Sequence, residues 1–281
     1  LRQGFIKNRN SQLTCDLSVT RMALALRALI HRLSSVASFP ASRYFSDVTS
    51  KPASPSSPTA TLADPLASPD YFGFRDYLSV EQLFKARVHL GHRSMLRNPY
   101  MTPYLFGCRQ GIDIIDLEQT LDLLFAALNF TAHIAYRGGI ILFMAQHKQM
   151  MPLVEQTARA VGEYSYCRPW GGGVFTDSSK FFKSAAVRLP DLIIMLNTLT
   201  PFGAPHVAVR DAAKMLIPTV AVVDSNSDPR LVTYPVPGND DSPTSVRLWC
   251  SLFAEAVSHG KRRARRDATL RQQLKDQQSV A

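Results

Sequence analysis

The sequence predicts an α/β fold: a three-layer sandwich around a mainly parallel sheet, with an extended N-terminal segment and a basic C-terminal helical tail. Three observations carry this prediction. Continuous apolar runs at residues 140–145, 192–196 and 219–223 have the character of short strands buried on both faces. Stretches with helical spacing alternate with them. The chain has 281 residues, 46% of them hydrophobic, which is enough to build one sizeable core.

The first 45 residues hold seven Lys/Arg and one acid. Arg21, Arg27, Arg32 and Arg43 lie on or beside an Ala/Leu-rich, helix-prone stretch with serines and no acid before Asp47. This composition is that of a mitochondrial transit peptide, and Arg43-Tyr44-Phe45-Ser46 resembles a matrix-processing site. The bland alternative is an ordinary N-terminal helix with solvated arginines. Residues 1–21, which precede Met22, read as an upstream extension. Residues 46–70 are rich in Ser and Pro and lack apolar periodicity, so a disordered linker is expected.

The folded domain is expected over residues 71–260. Asp116, three residues before Gln119, opens a helix in which Leu117, Leu121 and Leu124 recur at helical spacing until Gly138-Gly139. The strand at 140–145 follows, then a helix over 152–161. After the strand at 192–196 comes a helix over 207–216, closed by Pro218 before the strand at 219–223. A last amphipathic helix is expected over 245–258, with a basic tail over 261–281. Alternation at this spacing implies right-handed crossovers and a Rossmann-like sheet.

A net charge of +10 suggests a polyanionic partner, but the charge is uneven: +6 over residues 1–45, +5 over 261–281 and −1 between. Any nucleic-acid reading must therefore rest on local clusters. Cys15, Cys108, Cys167 and Cys250 are far apart and fit free thiols in a reducing compartment. No metal site and no cofactor are expected. Charges such as Arg137 interrupt every run before it reaches the roughly 20 apolar residues of a membrane span.

No active site assembles from the sequence. Gly171-Gly172-Gly173 is not a dinucleotide fingerprint and no phosphate-binding loop motif occurs, so a tight turn is favoured over a phosphate cradle. Asp224-Ser225-Asn226-Ser227-Asp228-Pro229 follows a strand, where a catalytic aspartate could sit, yet such residues also cap turns. A matrix enzyme using Gly171–Gly173 and Asp224 is the competing reading, resting on fold analogy alone.

The interval between Glu81 and Asp113 contains Lys85, Arg87, Arg93, Arg97, Arg109, His89 and His92 without one acid, together with Tyr100, Tyr104 and Phe106. Cations that neutralise phosphates beside rings that stack on unpaired bases suit structured RNA; a solvated loop with its aromatics in the core suits the pattern equally. Lys261-Arg262-Arg263-Ala264-Arg265-Arg266 is denser, and its place after the last helix suits an arm reaching into RNA grooves. The RNA-binding candidates are therefore His89, His92, Arg93, Arg97 and Arg109, then Arg168, Lys180 and Lys183, and in the tail Lys261, Arg262, Arg263, Arg265 and Arg266.

Ala86-Arg87-Val88-His89-Leu90-Gly91-His92, Asn98-Pro99, and the run from Pro103-Tyr104-Leu105-Phe106-Gly107 to Asp116-Leu117-Glu118 resemble the opening of small-subunit ribosomal protein two, bacterial and organellar type. Further pieces follow in family order: Ile141-Leu142-Phe143, Trp170-Gly171-Gly172-Gly173 with Thr176, Leu189-Pro190-Asp191, Ile217-Pro218-Thr219 through Asp228-Pro229, and Val236-Pro237-Gly238-Asn239-Asp240-Asp241. The resemblance covers residues 76–260. It implies a Rossmann-like sandwich without catalytic activity, bound to mitochondrial small-subunit rRNA where the head and body of the subunit meet. It also implies neighbours among small-subunit ribosomal proteins, a place in a large ribonucleoprotein in the mitochondrial matrix, and no homo-oligomer. There are two departures. The family's long helical hairpin shrinks here to residues 177–188, and Arg168-Pro169-Trp170 sets a proline where the tryptophan would directly follow the arginine.

Overall fold

The structure is a computed structural model describing residues 65, 66, 68, 70–183 and 187–280. These lie in one compact unit, residues 60–281. The expected leader and nearly all of the expected linker fall outside the described residues.

A short helix α1 (Val80–Lys85), capped by the Ser79 side chain, leads into a three-stranded antiparallel sheet of β1 (Leu90–Arg93), β2 (Leu105–Arg109) and β3 (Ile112–Ile115), with β3 in the middle. The basic interval is thus not a mere loop, since most of it forms two strands joined by 3-10 turns. Then come α2 (Leu117–Tyr136), β4 (Ile141–Met144), α3 (Met151–Val161), β5 (Tyr164–Tyr166), a five-residue helix α4 (Ser178–Phe182), β6 (Leu192–Met195), α5 (Val207–Lys214), β7 (Thr219–Val223), β8 (Tyr234–Pro237) and the long α6 (Pro243–Val280). Strands β4 to β8 form one parallel sheet in the order β5-β4-β6-β7-β8. The direction of winding reverses between β4 and β6, the switch point of a doubly wound sheet.

Alternating strand residues feed two cores. Ile141, Phe143, Leu192, Ile194, Val220 and Val222 meet α2, α3 and α6 on one face, with Trp249 and Phe253 fully buried. Met144, Ile193, Met195, Ala221 and Val223 face α5, Phe175 and Met101 on the other. The continuous apolar runs are explained by this double coverage. The Asp116 carboxylate accepts the backbone N–H of Glu118 and the amide of Gln119, opening α2 as expected.

Besides β1 to β3, two strands of the parallel sheet escape the sequence pattern, and both lie at its edges. Pro235 and Pro237 sit in β8, where only an edge strand tolerates missing N–H donors, and β5 is the polar Tyr164-Ser165-Tyr166. The last helix does not stop near residue 258; the basic tail continues it without a break. The shortened hairpin is α4, closed by Lys183 in the left-handed region (φ 53°).

Candidate nucleic-acid interface

Among the described residues the basic candidates divide into cations held by the fold and cations left free. Arg97 is held: its guanidinium makes a two-pronged contact with the fully buried Asp113 carboxylate, tying the turn after β1 to β3. Lys261 is held too. Its ammonium donates to the carbonyls of Val161 (2.8 Å) and Gly162 (3.3 Å) and pairs with Glu163, so it caps the negative end of α3. Arg263 donates to the Tyr71 hydroxyl (2.9 Å) and pairs with the buried Asp267, whose carboxylate also accepts from Tyr71 and Tyr136. Lys180 pairs with Asp177. The first two turns of the tail therefore belong to the folded body.

Arg93, Arg109, Arg168, Lys183, Arg262, Arg265 and Arg266 are exposed and make no ion pair among the described residues. Arg93 and Arg109 are brought together, since both stand in register with Ile112, one from each side of β3. Register partners share a face, so these two arginines flank an exposed isoleucine in one row across the small sheet. Phe106, 81% exposed, lies on the adjoining strand β2. The other two aromatics are committed elsewhere: the Arg230 guanidinium covers the Tyr100 ring at 3.2 Å, and Tyr104 packs against the second core.

The histidines are also part of the fold. The His89 ring stacks on Phe84 at 4.4 Å and burial lowers its pKa, which keeps it neutral. His92 bridges two carboxylates, Nδ1 to Asp224 (3.0 Å) and Nε2 to Asp241 (3.2 Å), and these hydrogen bonds raise it to about 10. Gly91 is required beside it, because a Cβ there would lie 2.9 Å from the Ser225 hydroxyl, which accepts the His92 backbone N–H. The Asp224–Pro229 segment is a turn, as favoured. The sequence reading gave no role to the pairing partners Asp113 and Asp241. In β3 Asp113 lies on the face opposite the exposed Ile112 and shares the buried face with Ile115, so strand alternation in Ile112-Asp113-Ile114-Ile115 turns the acid inward.

The glycine run is likewise structural. A Cβ on Gly171 would meet the Phe181 ring at 3.0 Å, Gly173 has φ +86°, and the Trp170 indole donates to Asp211 (3.1 Å).

The two free groups lie at opposite ends of the parallel sheet. Lys261 contacts the residues just before β5, at the strands' amino edge, whereas His92 and Asn98 contact Asp224 and Ser225, just after β7 at the carboxyl edge. Among the described residues no helix is long and apolar enough to cross a membrane.

The model of the family described as ribosomal protein S2 matches residues 83–188 and 183–260, two stretches that meet where the hairpin is shortened. The small ribosomal subunit protein uS2m of Bos taurus is 56% identical over 204 residues, covering 73% of this chain and 69% of the relative. The small ribosomal subunit protein uS2 of Rhizobium rhizogenes is 32% identical over 236 residues (69% and 88%), and that of Rhodospirillum centenum 33% over 224 residues (65% and 84%). With both halves of its sheet inside the match, the chain belongs to the ribosomal protein S2 family, a family of structural ribosomal components and not of enzymes.

Proposed function

We propose that this chain is a structural constituent of the mitochondrial small ribosomal subunit, located in the matrix, that binds small-subunit rRNA near the head–body junction and supports subunit assembly and translation. Its similarity to the bovine uS2m protein supports the mitochondrial particle, and the acid-poor, arginine-rich leader fits the same address. The observation that carries RNA binding is the set of exposed arginines with no intramolecular partner, Arg93 with Arg109 at one end of the sheet and Arg262, Arg265 and Arg266 at the other. Free guanidinium groups neutralise phosphates and release counterions, which is the main source of affinity for structured RNA. Neighbouring small-subunit proteins take the surface left by the missing hairpin, and the chain works inside a ribonucleoprotein and not as a homo-oligomer. Residues 1–45 act as the cleaved leader, 46–70 as linker, 71–260 as the ribosomal domain and 261–281 as the basic extension.

The test is sedimentation of mitochondrial lysate carrying a tagged full-length chain, with the N-terminus of the recovered protein sequenced. Co-migration with the small subunit and a start near Ser46 are expected. A chain that stays at the top of the gradient and is stabilised by nucleotides would overturn the reading.

A further inference from the structure

The small antiparallel sheet buries one face and leaves the other open. On β3, Asp113 and Ile115 turn into the fold, while Ile112 and Ile114 turn the opposite way. Register sets two rows of three on the open face: Arg93, Ile112 and Arg109, then Leu90, Ile114 and Gly107. The hairpin joining β2 to β3 holds Gln110 and Gly111 at φ 53° and 75°, the paired left-handed residues of a type I′ turn, which fixes Arg109 opposite Ile112. The single acid of these three strands, Asp113, is buried against Arg97, so the two arginines give the open face its positive charge.

Two residues of β2 serve no purpose in the fold. A Cβ on Gly107 would meet nothing within 4 Å, and its φ lies outside the left-handed region. Neither packing nor backbone conformation asks for glycine there, although glycine in mid-strand weakens a sheet. Bare backbone at such a place gives clearance to a ligand that lies flat against it. The second residue is Phe106. The register slips by one between Leu105 and Gly107, which leaves Phe106 without a partner on β3. Its ring is 81% exposed and touches no other ring among the described residues. Bulges re-aim side chains in this way, and this one turns a large apolar ring towards water.

Building on the RNA binding proposed above, we propose that this face takes a single-stranded stretch of RNA. One unpaired base stacks on the Phe106 ring, the next lies over Gly107 and Ile114, and Arg93 and Arg109 hold the phosphates beside them. Charge complementarity selects a polyanion, but charge alone attracts duplex and single strand alike. A duplex turns sugars and phosphates outward and hides the flat faces of its bases, so it makes no use of an exposed ring or a bare strand. An unpaired strand offers both a phosphate chain and free base planes, the combination that this face complements.

The experiment is fluorescence anisotropy of the full-length protein with a short labelled oligouridylate, and with an RNA duplex of the same length. Phe106→Ala is expected to weaken oligouridylate binding about tenfold and duplex binding hardly at all. Its salt dependence stays that of the wild type, since no phosphate contact is lost. Phe106→Leu, apolar but without a π face, binds as weakly as the alanine variant, whereas Phe106→Trp binds fully and its emission is quenched by the oligonucleotide. Gly107→Val keeps or raises the Tm, because nothing crowds its Cβ, and still weakens oligouridylate binding. Undiminished oligouridylate affinity in Phe106→Ala or Gly107→Val would overturn the stacking face and leave RNA binding through the arginines standing. Phe106→Leu equal to the wild type would overturn it too, because an apolar surface suited to a protein neighbour would then suffice. Binding of neither RNA would overturn both this face and RNA binding itself.

Discussion

Removing the Arg97 side chain strands the Asp113 carboxylate, which is fully buried and has this guanidinium as its ion-pair partner. Breaking such a pair from one side leaves an uncompensated charge, so Arg97→Ala is expected to lower Tm by roughly 5 °C or more, whereas Arg93→Ala and Arg109→Ala shift it by less than about 2 °C. Differential scanning fluorimetry of the three variants decides this. An expectation that all three arginines are interchangeable surface cations fails on this geometry; pairing is a property of the fold and leaves no mark in the local spacing. A second residue couples the fold to pH. His206 is buried, and its Nδ1 accepts the Ala208 backbone N–H (3.0 Å) as the cap of α5, which requires a neutral ring. Burial lowers its pKa below the ordinary 6.5, with Asp211 opposing. The stabilisation is therefore complete above pH 6.5 and is lost as pH falls through the folded-state value. The urea midpoint should drop between about pH 7.5 and 5.5, and His206→Asn, a cap that does not titrate there, should flatten that slope.

Helices α2 and α6 meet at Gly260, where an added Cβ would lie 2.4 Å from the Ala132 carbonyl oxygen and 2.9 Å from the Ala135 Cβ. Neither neighbour is a flexible side-chain end, so the helices must separate. Gly260→Ala is expected to cost ~1–3 kcal/mol by overpacking despite alanine's better helix propensity, and a urea unfolding curve measures it. The same pair shows what an element-level reading can and cannot see. Helix α2 was legible from its cap, its leucine spacing and its terminal glycines, and β6 and β7 from apolar runs that double burial demands. Edge strands β5 and β8 were not, because an edge needs neither alternation nor backbone donors on its open side. A helical tail was expected, but not its unbroken continuation from the last helix: the apolar stripe of α6 fades where it leaves the core, and the docking of Lys261, Arg263 and Asp267 ties the tail to the body.

On the scale of the whole molecule, the fold separates two sets of free cations that the sequence also separates, one before the parallel sheet and one after it. Because they stand at opposite ends of the sheet, one RNA surface contacting both must span the domain. Charge reversal of Arg93 with Arg109, or of Arg262, Arg265 and Arg266, is expected to reduce the salt dependence of RNA binding in each case. The combined variant should lose about the sum, since each phosphate contact adds ~0.7–0.9 to the slope. Binding titrations across potassium chloride concentrations test this; an unchanged slope for either set removes it from the interface. The basic interval and tail were legible as charge, whereas their division between the two ends of a sheet became visible only with the strand order.

The length of α6 has one more consequence. At 38 residues it extends for about 57 Å, beyond what the core beneath it needs. Its arginines are therefore displayed on a preformed rod, anchored through Asp267, and not on a coil that must be ordered during association. A flexible arm surrenders conformational entropy when it docks, and binding then carries the heat-capacity signature of folding. A rod has already met that cost during folding of the protein itself, so assembly can proceed by rigid-body capture, with the geometry of its charges fixed before the RNA arrives.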